Sequence, residues 1–408
     1  MFPKMLRVRQ TFPARKIENA ASATANELAG LRLDSRVRTG DTVAVTAGSR
    51  GISEITAIIR TVVDALKSTG ARPFIVPAMG SHGGATAQGQ VDVLARYGIT
   101  ETSMGVPIRS SMEVVNVGSG PYGFPLYIDK FAAEADHIVL INRVKTHTRF
   151  SGSIEGGLVK MLLVGLGKQK AASIYHRAVL EHPFDEMAHK IVPVLLKKLP
   201  LLFGLAIIEN ARCEVAEIEA VPPEKLLERE PELLKTAVEL MAKLPFDRID
   251  LLVVDEMGKD ISGTCMDTSV IGKKDTSTVK IKRILVRDLT DKSDGNACGI
   301  GFADFTTKRL VNKINFKDTY INCITGLRPE GAKVPITYSN DKEALEHALN
   351  TLGLVEPENA RVIRIRNTKD LEELSVSEAY REEASGHQGL KIVSTPEMMR
   401  FSPEGNLM

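Results

Sequence analysis

The chain has 408 residues, more than one hydrophobic core usually holds, which predicts two domains. Apolar residues make up 43% and charged residues 25% of the chain, the balance of a globular protein and not of a disordered or fibrous one. The formal net charge is only +2, so no global field favours nucleic acid or an anionic membrane, and any anion binding has to be local.

The N-terminal stretch, MFPKMLRVRQTFPARK, lacks the continuous apolar core of a signal peptide, so we expect a first strand or arm. The longest apolar region, IVPVLLKKLPLLFGLAII, is interrupted by two lysines and a proline and is too polar to span a membrane. The chain contains four widely spaced cysteines and no C-x-x-C pair: Cys213, Cys265, Cys298 and Cys323. We expect reduced thiols, no zinc site made of cysteines, and a cytoplasmic location.

Short β-branched runs alternate with amphipathic helical stretches in the first part of the chain, which predicts α/β architecture. Residues 41–49 (DTVAVTAGS) are typical of a buried strand that enters a glycine turn, and residues 52–71 of a helix that ends near Gly70. Residues 72–84 and 86–98 repeat the pattern of strand, glycine loop and helix. We therefore expect a βαβα run with right-handed crossovers.

A charged helical segment at 222–245 marks the predicted domain boundary, because prolines flank its start and a fresh strand follows it. We expect an N-terminal α/β domain at 1–245 and a C-terminal α/β domain at 246–408. Strands of the second domain are predicted in RIDLLVVDEMGKD, TVKIKRILVRDL, TYINCITGL, ARVIRIRNT and LKIVST. The expected fold class is thus α/β, with two α/β domains and a cleft between them.

Polar segments that contain glycine follow several predicted strands, and they are AGSRG, GSHGG, KTHTRFSG and EMGKDISGT. Because open α/β sheets bind ligands beyond the carboxyl ends of their strands, we expect these segments to gather on one rim. Arg50 is placed to bind an anion together with backbone N–H groups, or is an ordinary arginine at a turn. His82, between glycines, suits a general base, or is a turn histidine held by its own backbone.

The stretch RVKTHTRFSGSIEGGLVKMLLVGLGKQKAASIYH, residues 143–176, holds the densest group of candidate residues. Gly156 and Gly157 at a helix start resemble an anion cradle, but the Walker spacing is missing, which disfavours a P-loop. A continuous helix would separate Lys160 from His176 by about 24 Å. The sequence GLG at 165–167 is a natural helix break, and a chain reversal there would bring the two side chains together.

The first strand of the second domain is followed by Asp255, Lys259 and Asp260. These charged groups are placed to complete a cleft from the opposite wall, or they belong to a solvated turn. The sequence leaves both readings open.

These motifs resemble those of the nickel-dependent lactate racemase family. The resemblance lies in TAGSRG, in GSHGGAT, in H-x-x-F-x-G…GG-x-x-K at 147–160, and in a histidine sixteen residues after that lysine. The segments GKDISGTCMD and NACGIGFADFTTKRL are also similar to those of longer relatives. The resemblance implies two α/β domains around a cleft that holds a nickel-pincer nucleotide, and it favours a longer relative over a lactate racemase itself.

Carried over by position, the resemblance implies one role for each of eight residues. Lys160 attaches the cofactor covalently, His176 ligates nickel, His82 and His147 are the paired acid/base residues, Arg50 and Lys259 bind the substrate carboxylate, and Gly156 and Gly157 let the backbone approach the cofactor. The implied partners are a small-molecule 2-hydroxy acid and cofactor-supplying proteins, with no nucleic acid and no membrane.

The implied reaction is racemisation or epimerisation of a 2-hydroxy acid, in which a hydride leaves the α-carbon and returns on either face. The first turn reads AGSRG where lactate racemases have Asp-His-Thr-Arg-Pro, so a bulkier acid such as a sugar acid is expected instead of lactate. The interval from His147 to Lys160 is also longer than in the lactate enzymes. Two alternatives stay open: an enzyme that uses the same cleft without nickel, or a binding protein for an anionic sugar acid or nucleotide.

Overall fold

The structure is a computed structural model that describes residues 2–408, and these residues fall into two compact units. The N-terminal unit is Ala14–Met241, and the C-terminal unit combines residues 2–13 with Ala242–Met408. Strands and helices occur in both units, so the predicted α/β class is confirmed.

The strands are β1 (Lys4–Gln10), β2 (Thr42–Ala47), β3 (Arg72–Pro77), β4 (Val114–Ser119), β5 (Pro125–Asp129), β6 (His137–Arg143), β7 (Leu201–Glu209), β8 (Val215–Val221), β9 (Arg248–Val254), β10 (Lys280–Val286), β11 (Phe305–Thr307), β12 (Ile336–Tyr338), β13 (Val362–Ile365), β14 (Glu373–Ser377), β15 (Leu390–Ile392) and β16 (Glu397–Met398).

The α-helices are α1 (Ala20–Ala29), α2 (Ile55–Ser68), α3 (Ala87–Arg96), α4 (Glu101–Met104), α5 (Lys130–Ala133), α6 (Leu158–Lys160), α7 (Lys168–Ala178), α8 (Phe184–Leu196), α9 (Leu226–Leu240), α10 (Lys308–Val311), α11 (Phe316–Thr325), α12 (Asp341–Leu349) and α13 (Arg381–Gly386). A π-helical turn, Met161–Gly165, continues α6.

The sheet of the N-terminal unit has the strand order β3-β2-β6-β7-β8. The pairs β3–β2, β2–β6 and β6–β7 are parallel, and β8 closes the edge antiparallel to β7. The chain runs from β2 outwards to β3 and then returns past β2 to β6. The strand order therefore reverses between β2 and β6, and such a reversal is the topological switch point at which open α/β sheets bind ligands.

Helices cover both faces of this sheet, which explains why its strands are almost continuously apolar. On one face the helix α2 covers the strands with an apolar stripe. Its buried residues recur at helical spacing: Ile55, Ile58, Ile59, Val62, Val63 and Leu66. On the other face, the segment from α6 to α9 shares one apolar core with β5 and β6. The predicted run of strand, helix, strand and helix at 41–98 is confirmed.

The sheet of the C-terminal unit has the order β12-β11-β10-β9-β13-β14-β1-β15, with β16 also paired to β1. Its first strands, from β12 to β13, are parallel to their neighbours, and the pairs that involve β14 and β1 are antiparallel. The N-terminal strand β1 thus lies in the C-terminal unit, where Leu6 and Val8 are buried. The predicted division into 1–245 and 246–408 differs from the structure in this segment, while its boundary lies close to the change of unit at Met241.

The predicted strand TYINCITGL is wrong, because these residues form α11 and the turn after it. The side chain of Asn315 caps the helix by accepting a hydrogen bond from the N–H of Asp318, and Thr319 and Cys323, four residues apart, face the interior. The β-branched and aromatic residues that suggested a strand lie on the exposed side, among them Tyr320 and Ile324.

Within residues 2–408, no helix combines the length and the apolar character that crossing a membrane requires.

We predict that Leu6→Ala lowers the free energy of unfolding of the C-terminal unit by about 2–5 kcal/mol, because the buried leucine leaves a cavity in the core. Urea denaturation with hydrogen exchange measured in β14 and in β2 tests this. Lys4→Ala, an exposed position on the same strand, is the matched control and should change stability little. Faster exchange in β2 instead of β14 would contradict the placement of β1 in the C-terminal unit.

Candidate functional site

The carboxyl ends of β2 and β6 meet at the switch point of the N-terminal sheet. A Cβ atom at Gly48, just after β2, would lie 3.3 Å from Cε of Met161 and 3.7 Å from Oδ1 of Asn142 in β6. The amide of Asn142 in turn donates to the carbonyl of Gly157 at 2.7 Å. The turn with the sequence AGSRG, which follows β2, therefore lies beside the helix that carries Lys160.

The helix of Lys160 changes its hydrogen-bonding pattern directly after that residue, from α6 into the π-helical turn. Such π-turns are rare and often mark functional sites. The turn packs closely on the end of β3, since a Cβ at Gly165 would lie 2.7 Å from the carbonyl oxygen of Ala78. The N–H of Gly80 also donates to the carbonyl of Gly165 at 3.1 Å.

The predicted helix break at 165–167 is confirmed. Gly167 lies outside helical geometry with φ −75° and ψ 1°, and Lys168 then takes a left-handed φ of 53° before α7 proceeds. The helix α7 packs against the π-helical turn and carries His176. The break thereby returns the chain, and the positive charge of Lys160 acts on the imidazole of His176.

Lys160 lies in a strongly basic environment. The pKa of its ammonium group is lowered to about 8. Burial is the main cause, and the positive charges of Arg50 and Lys145 act in the same direction. Arg50 follows β2 and Lys145 follows β6, so two strand ends contribute to one group of charges. We call Arg50, Lys145, Arg149 and Lys160 the basic cluster, since Arg149 acts with Lys160 on the neighbouring His176. This group of cations favours an anionic ligand.

His176 is neutral at physiological pH. Burial lowers the pKa of its ring to about 4, and Arg149 and Lys160 contribute in the same direction. Its Nδ1 atom is buried and has no hydrogen-bond partner among residues 2–408. A buried nitrogen without a partner is costly, so the geometry of this ring fits a ligand that bonds to it. Neutral imidazole is a common metal ligand.

His147 and His176 lie on either side of Phe150. The ring of His147 stacks on Phe150 with 4.1 Å between centroids, and the centroid of Phe150 lies 6.2 Å from that of His176. The Nδ1 atom of His147 accepts hydrogen bonds from the backbone N–H groups of Arg149 at 3.2 Å and Phe150 at 3.0 Å. The neutral ring therefore carries its proton on Nε2. The backbone N–H of His147 donates to Oε2 of Glu155 at 2.8 Å.

His82 is exposed in the loop after β3, and its Nδ1 forms a short hydrogen bond with Oγ of Ser49 in the loop after β2. The bond joins the turn of Arg50 to the turn of His82. Tyr97 supports this contact by donating from its hydroxyl group to the carbonyl of Ser49 at 3.2 Å. Ser49 was not singled out in the sequence, because only the folded loops bring it to the histidine.

Glu230 is a site residue that the sequence analysis missed. It lies in α9, is 1% exposed, and its Oε2 accepts a hydrogen bond from the backbone N–H of Val159 at 2.8 Å. Burial raises the pKa of this carboxyl group to about 7, against the opposing effect of backbone N–H groups of Val159 and Leu158. The glutamate thus holds the first turn of the helix that carries Lys160. One signal was present, since Glu230 occupies a position on the apolar stripe of α9.

Both glycines of the predicted cradle have partners inside the protein. A Cβ at Gly157 would lie 2.7 Å from Oε1 of Glu230, so a glycine is required for the carboxylate to approach. Gly156 pairs with Lys145 in an isolated bridge, and a Cβ there would lie 3.0 Å from the carbonyl oxygen of Lys145. Contact of either glycine with a cofactor stays a prediction.

A second missed group lies beneath the loop of His82. The ammonium of Lys168 is fully buried, lies 3.2 Å from Oδ2 of Asp129, donates to Oε1 of Gln90 at 2.9 Å, and donates to the carbonyl of Pro77. Gln90 donates onwards to the carbonyls of Gly80 and His82 at 3.0 Å and 3.3 Å. Burial raises the pKa of Asp129 and lowers that of Lys168.

Lys259 lies in the C-terminal unit and has its own contacts there. Its ammonium donates to the carbonyl of Gly263 and to Oδ1 of Asn322, both at 2.6 Å. Of the eight predicted residues, seven lie in the N-terminal unit: Arg50, His82, His147, Gly156, Gly157, Lys160 and His176. The role predicted for Lys259 stays a prediction.

Residues 2–408 contain no group of three or more His, Cys, Asp or Glu side chains that is arranged to hold a metal ion.

We predict that stability depends on pH through Glu230. Folding raises its pKa from about 4.3 to about 7, so the stabilisation that protonation gives is complete at low pH and is lost as pH rises through this window. Glu230→Gln should therefore gain stability relative to the parent between pH 5 and pH 8, by up to about 3 kcal/mol. Urea denaturation of both proteins across that range measures the difference.

Glu232→Gln is the matched control, because Glu232 is exposed on the same helix. Parallel stability curves for the parent and Glu230→Gln would show that the carboxyl group does not titrate in this window.

The chain is similar to a known domain family and to solved structures. Residues 8–188 match the lactate racemase N-terminal domain. The fold is similar to that of the lactate racemase apoprotein from Thermoanaerobacterium thermosaccharolyticum, with a TM-score of 0.56 at 14% identity over 90% of this chain and 99% of that one. A Thermotoga maritima protein determined by a structural genomics consortium is also similar, with a TM-score of 0.54 at 13% identity over 88% and 99% of the two chains.

A search among curated proteins gives no match. The solved structures share the fold of this chain, and the domain match identifies its N-terminal part. The resemblance drawn from the sequence is thereby confirmed for residues 8–188, which are similar to the lactate racemase N-terminal domain.

Proposed function

We propose that this protein is a racemase or epimerase of a 2-hydroxy acid that uses a nickel-pincer nucleotide bound through Lys160 and His176. The observation that carries the proposal is the buried Nδ1 of His176, which has no partner within residues 2–408 and lies in the electrostatic range of Lys160. The match of residues 8–188 to the lactate racemase N-terminal domain supports the reaction class.

The residues fit such a cofactor in three respects. A single neutral imidazole, together with sulfur atoms of the cofactor, is a donor set that nickel accepts. Lys160 supplies an amine whose pKa of about 8 leaves part of it unprotonated, and therefore nucleophilic, at neutral pH. The basic cluster matches the negative charge of a nucleotide phosphate. Lys160 would hold the group covalently, and His176 would ligate its metal.

When bound, the group supplies an acceptor for the hydride of the α-carbon. The chain supplies the proton transfer and the orientation. His82 would take the proton of the substrate hydroxyl group, because the hydrogen bond between its Nδ1 and Oγ of Ser49 orients the ring. Arg50, in the neighbouring turn, would bind the carboxylate of the substrate.

His147 would serve the other configuration of the substrate. Its hydrogen bonds to two backbone N–H groups fix the ring, and the neutral form presents the proton on Nε2. Nε2 of His147 can thus donate a hydrogen bond to the substrate oxygen. A histidine on each side suits a reaction in which a planar keto acid is regenerated as either hydroxy acid.

We further propose that the substrate is bulkier than lactate, such as a sugar acid. The first turn carries small residues, Gly48, Ser49 and Gly51, where lactate racemases carry the Asp-His-Thr-Arg-Pro motif. Part of this smallness has an internal cause, because a Cβ at Gly51 would lie 3.1 Å from the ring of Tyr97. The alternatives remain a nickel-independent enzyme and a binding protein for an anionic sugar acid or nucleotide.

We predict that protein from a host that makes the cofactor carries an added mass at Lys160. Trypsin cannot cut after a modified lysine, so digestion should give one uncut peptide over residues 150–168 in place of two. Mass spectrometry of the peptide and metal analysis of the intact protein measure attachment and nickel.

Lys160→Arg keeps the charge and should abolish the added mass, while Lys145→Arg is the matched control within the basic cluster. A fully cut, unmodified Lys160 in nickel-free protein from the same host would favour the nickel-independent alternatives.

We predict that His82→Ala in cofactor-loaded protein lowers the rate of inversion of sugar 2-hydroxy acids by about 10²–10⁴-fold, because the proton acceptor is lost. Ser49→Ala should have a smaller effect, since it removes only the group that orients the ring. Polarimetry of candidate acids in D₂O measures inversion, and mass spectrometry of the product measures deuterium.

His189→Ala is the control, because His189 is exposed in α8 and its loss removes a histidine outside the proposed site. Inversion with extensive deuterium at the α-carbon would replace hydride transfer by proton abstraction. Ligand binding without turnover, unchanged after both His82 and His147 are replaced by alanine, would favour a binding protein.

A further inference from the structure

Two cysteines of the C-terminal unit face each other. Cys298 precedes a short 3₁₀ turn, Ile300–Phe302, and Cys323 lies in α11. Their sulfur atoms are 3.3 Å apart, and the thiol of Cys323 donates to the sulfur of Cys298. A disulfide bond has about 2.05 Å between its sulfur atoms, so a closure of roughly 1.3 Å would join them.

Backbone hydrogen bonds hold both cysteines in place. The N–H of Cys298 donates to Oδ1 of Asn296 at 3.2 Å, and the N–H of Gly299 donates to the carbonyl of Gly331 at 2.8 Å. The carbonyl of Cys323 accepts from the N–H of Arg328 at 2.9 Å. Both thiols are reduced, with Cys298 7% and Cys323 1% exposed. These backbone hydrogen bonds therefore hold the two sulfur atoms in contact.

The two thiols differ in their electrostatic environment. The hydrogen bond from Cys323 lowers the pKa of Cys298 to about 7, and the positive charges of Lys259 and Arg328 act in the same direction against burial. The same hydrogen bond raises the pKa of Cys323, and burial adds to this. One sulfur thus has thiolate character near neutral pH while its neighbour keeps its proton, the arrangement of an attacking and a resolving cysteine.

We propose that Cys298 and Cys323 form a redox-active dithiol that a peroxide converts into a disulfide bond. The thiolate of Cys298 attacks one peroxide oxygen, the O–O bond breaks, and the sulfur becomes a sulfenic acid as hydroxide leaves. The sulfur of Cys323 then attacks this sulfur, the S–S bond forms, and the S–O bond breaks. The leaving hydroxide and the proton of Cys323 form water, so two thiols and one peroxide give one disulfide and two waters.

The disulfide bond would act directly beside Lys259. Asn322, the neighbour of Cys323 in α11, accepts from the ammonium of Lys259 at 2.6 Å and from Nδ2 of Asn296 at 3.3 Å. Because Asn322 directly precedes Cys323 and Asn296 lies two residues before Cys298, closing the S–S bond would shift the groups that hold Lys259. A consequence for substrate binding rests on the proposed function, whereas formation of the disulfide does not.

The test is oxidation of the full-length protein with hydrogen peroxide, followed by unfolding, alkylation and tryptic digestion without reductant. The expected product links peptide 293–308 to peptide 318–333, each of which contains one of the two cysteines. A reductant should release both peptides. Labelling of Lys259 with an amine reagent before and after oxidation reads the change in its surroundings without any activity assay.

Single variants separate the two roles. Cys323→Ser should leave Cys298 as a sulfenic acid that dimedone traps, whereas Cys298→Ser should leave Cys323 untrapped. Cys213→Ser, in the N-terminal unit, is the control and should leave the linked peptide unchanged. Circular dichroism shows that each variant folds.

Three results would overturn the inference. The first is that both thiols remain fully alkylated after peroxide has oxidised Cys213. The second is a linked peptide that contains Cys265, which donates to the carbonyl of Asn296 at 3.2 Å. The third is oxidation of Cys298 to sulfinic acid with no link. If Lys160 proves unmodified while the linked peptide forms, the proposed function fails and the redox site stands.

Discussion

The candidate site depends on one buried carboxyl group, that of Glu230, at the start of the helix that carries Lys160. Helix N-termini leave backbone N–H groups without partners, and a side-chain oxygen there accepts hydrogen bonds from them. The contact has a steric condition, since only glycine at position 157 leaves room for it. Lys160 therefore directly follows Val159, the residue whose N–H donates to the carboxyl group of Glu230. The π-helical turn after Lys160 packs closely on the end of β3.

Burial acts on the three titratable groups of this region in one consistent sense, by favouring their neutral forms. It raises the pKa of Glu230 and lowers those of Lys160 and His176. A neutral lysine is a nucleophile and a neutral histidine is a metal ligand, so one physical cause prepares both residues for their proposed roles. The cations that remain, Arg50, Lys145 and Arg149, leave the region suited to a negatively charged ligand.

Local patterns predicted the parts of this structure that depend on neighbours in sequence. The apolar periodicity of α2 and the glycine break at 165–167 are of that kind, and both were correctly placed. The pairing of β1 with β14 could not be predicted, because the partners are more than 360 residues apart. The contact between Ser49 and His82 joins two loops that only the parallel sheet brings together. A strand was wrongly predicted where the structure has α11. The β-branched and aromatic residues of this segment favoured a strand, although Asn315 before it is a typical helix cap.

The buried pair of Lys168 and Asp129 is a poor source of stability, because removing two charges from water costs about as much as their attraction returns. Its geometry favours a positional role. One ammonium group connects the end of β3 at Pro77, the helix α3 through Gln90, and the end of β5 at Asp129. Gln90 extends the network to the carbonyl of His82. Lys168 also directly follows the glycine break that returns α7. The same side chain therefore fixes the loop of the proposed base and the start of the helix that presents His176.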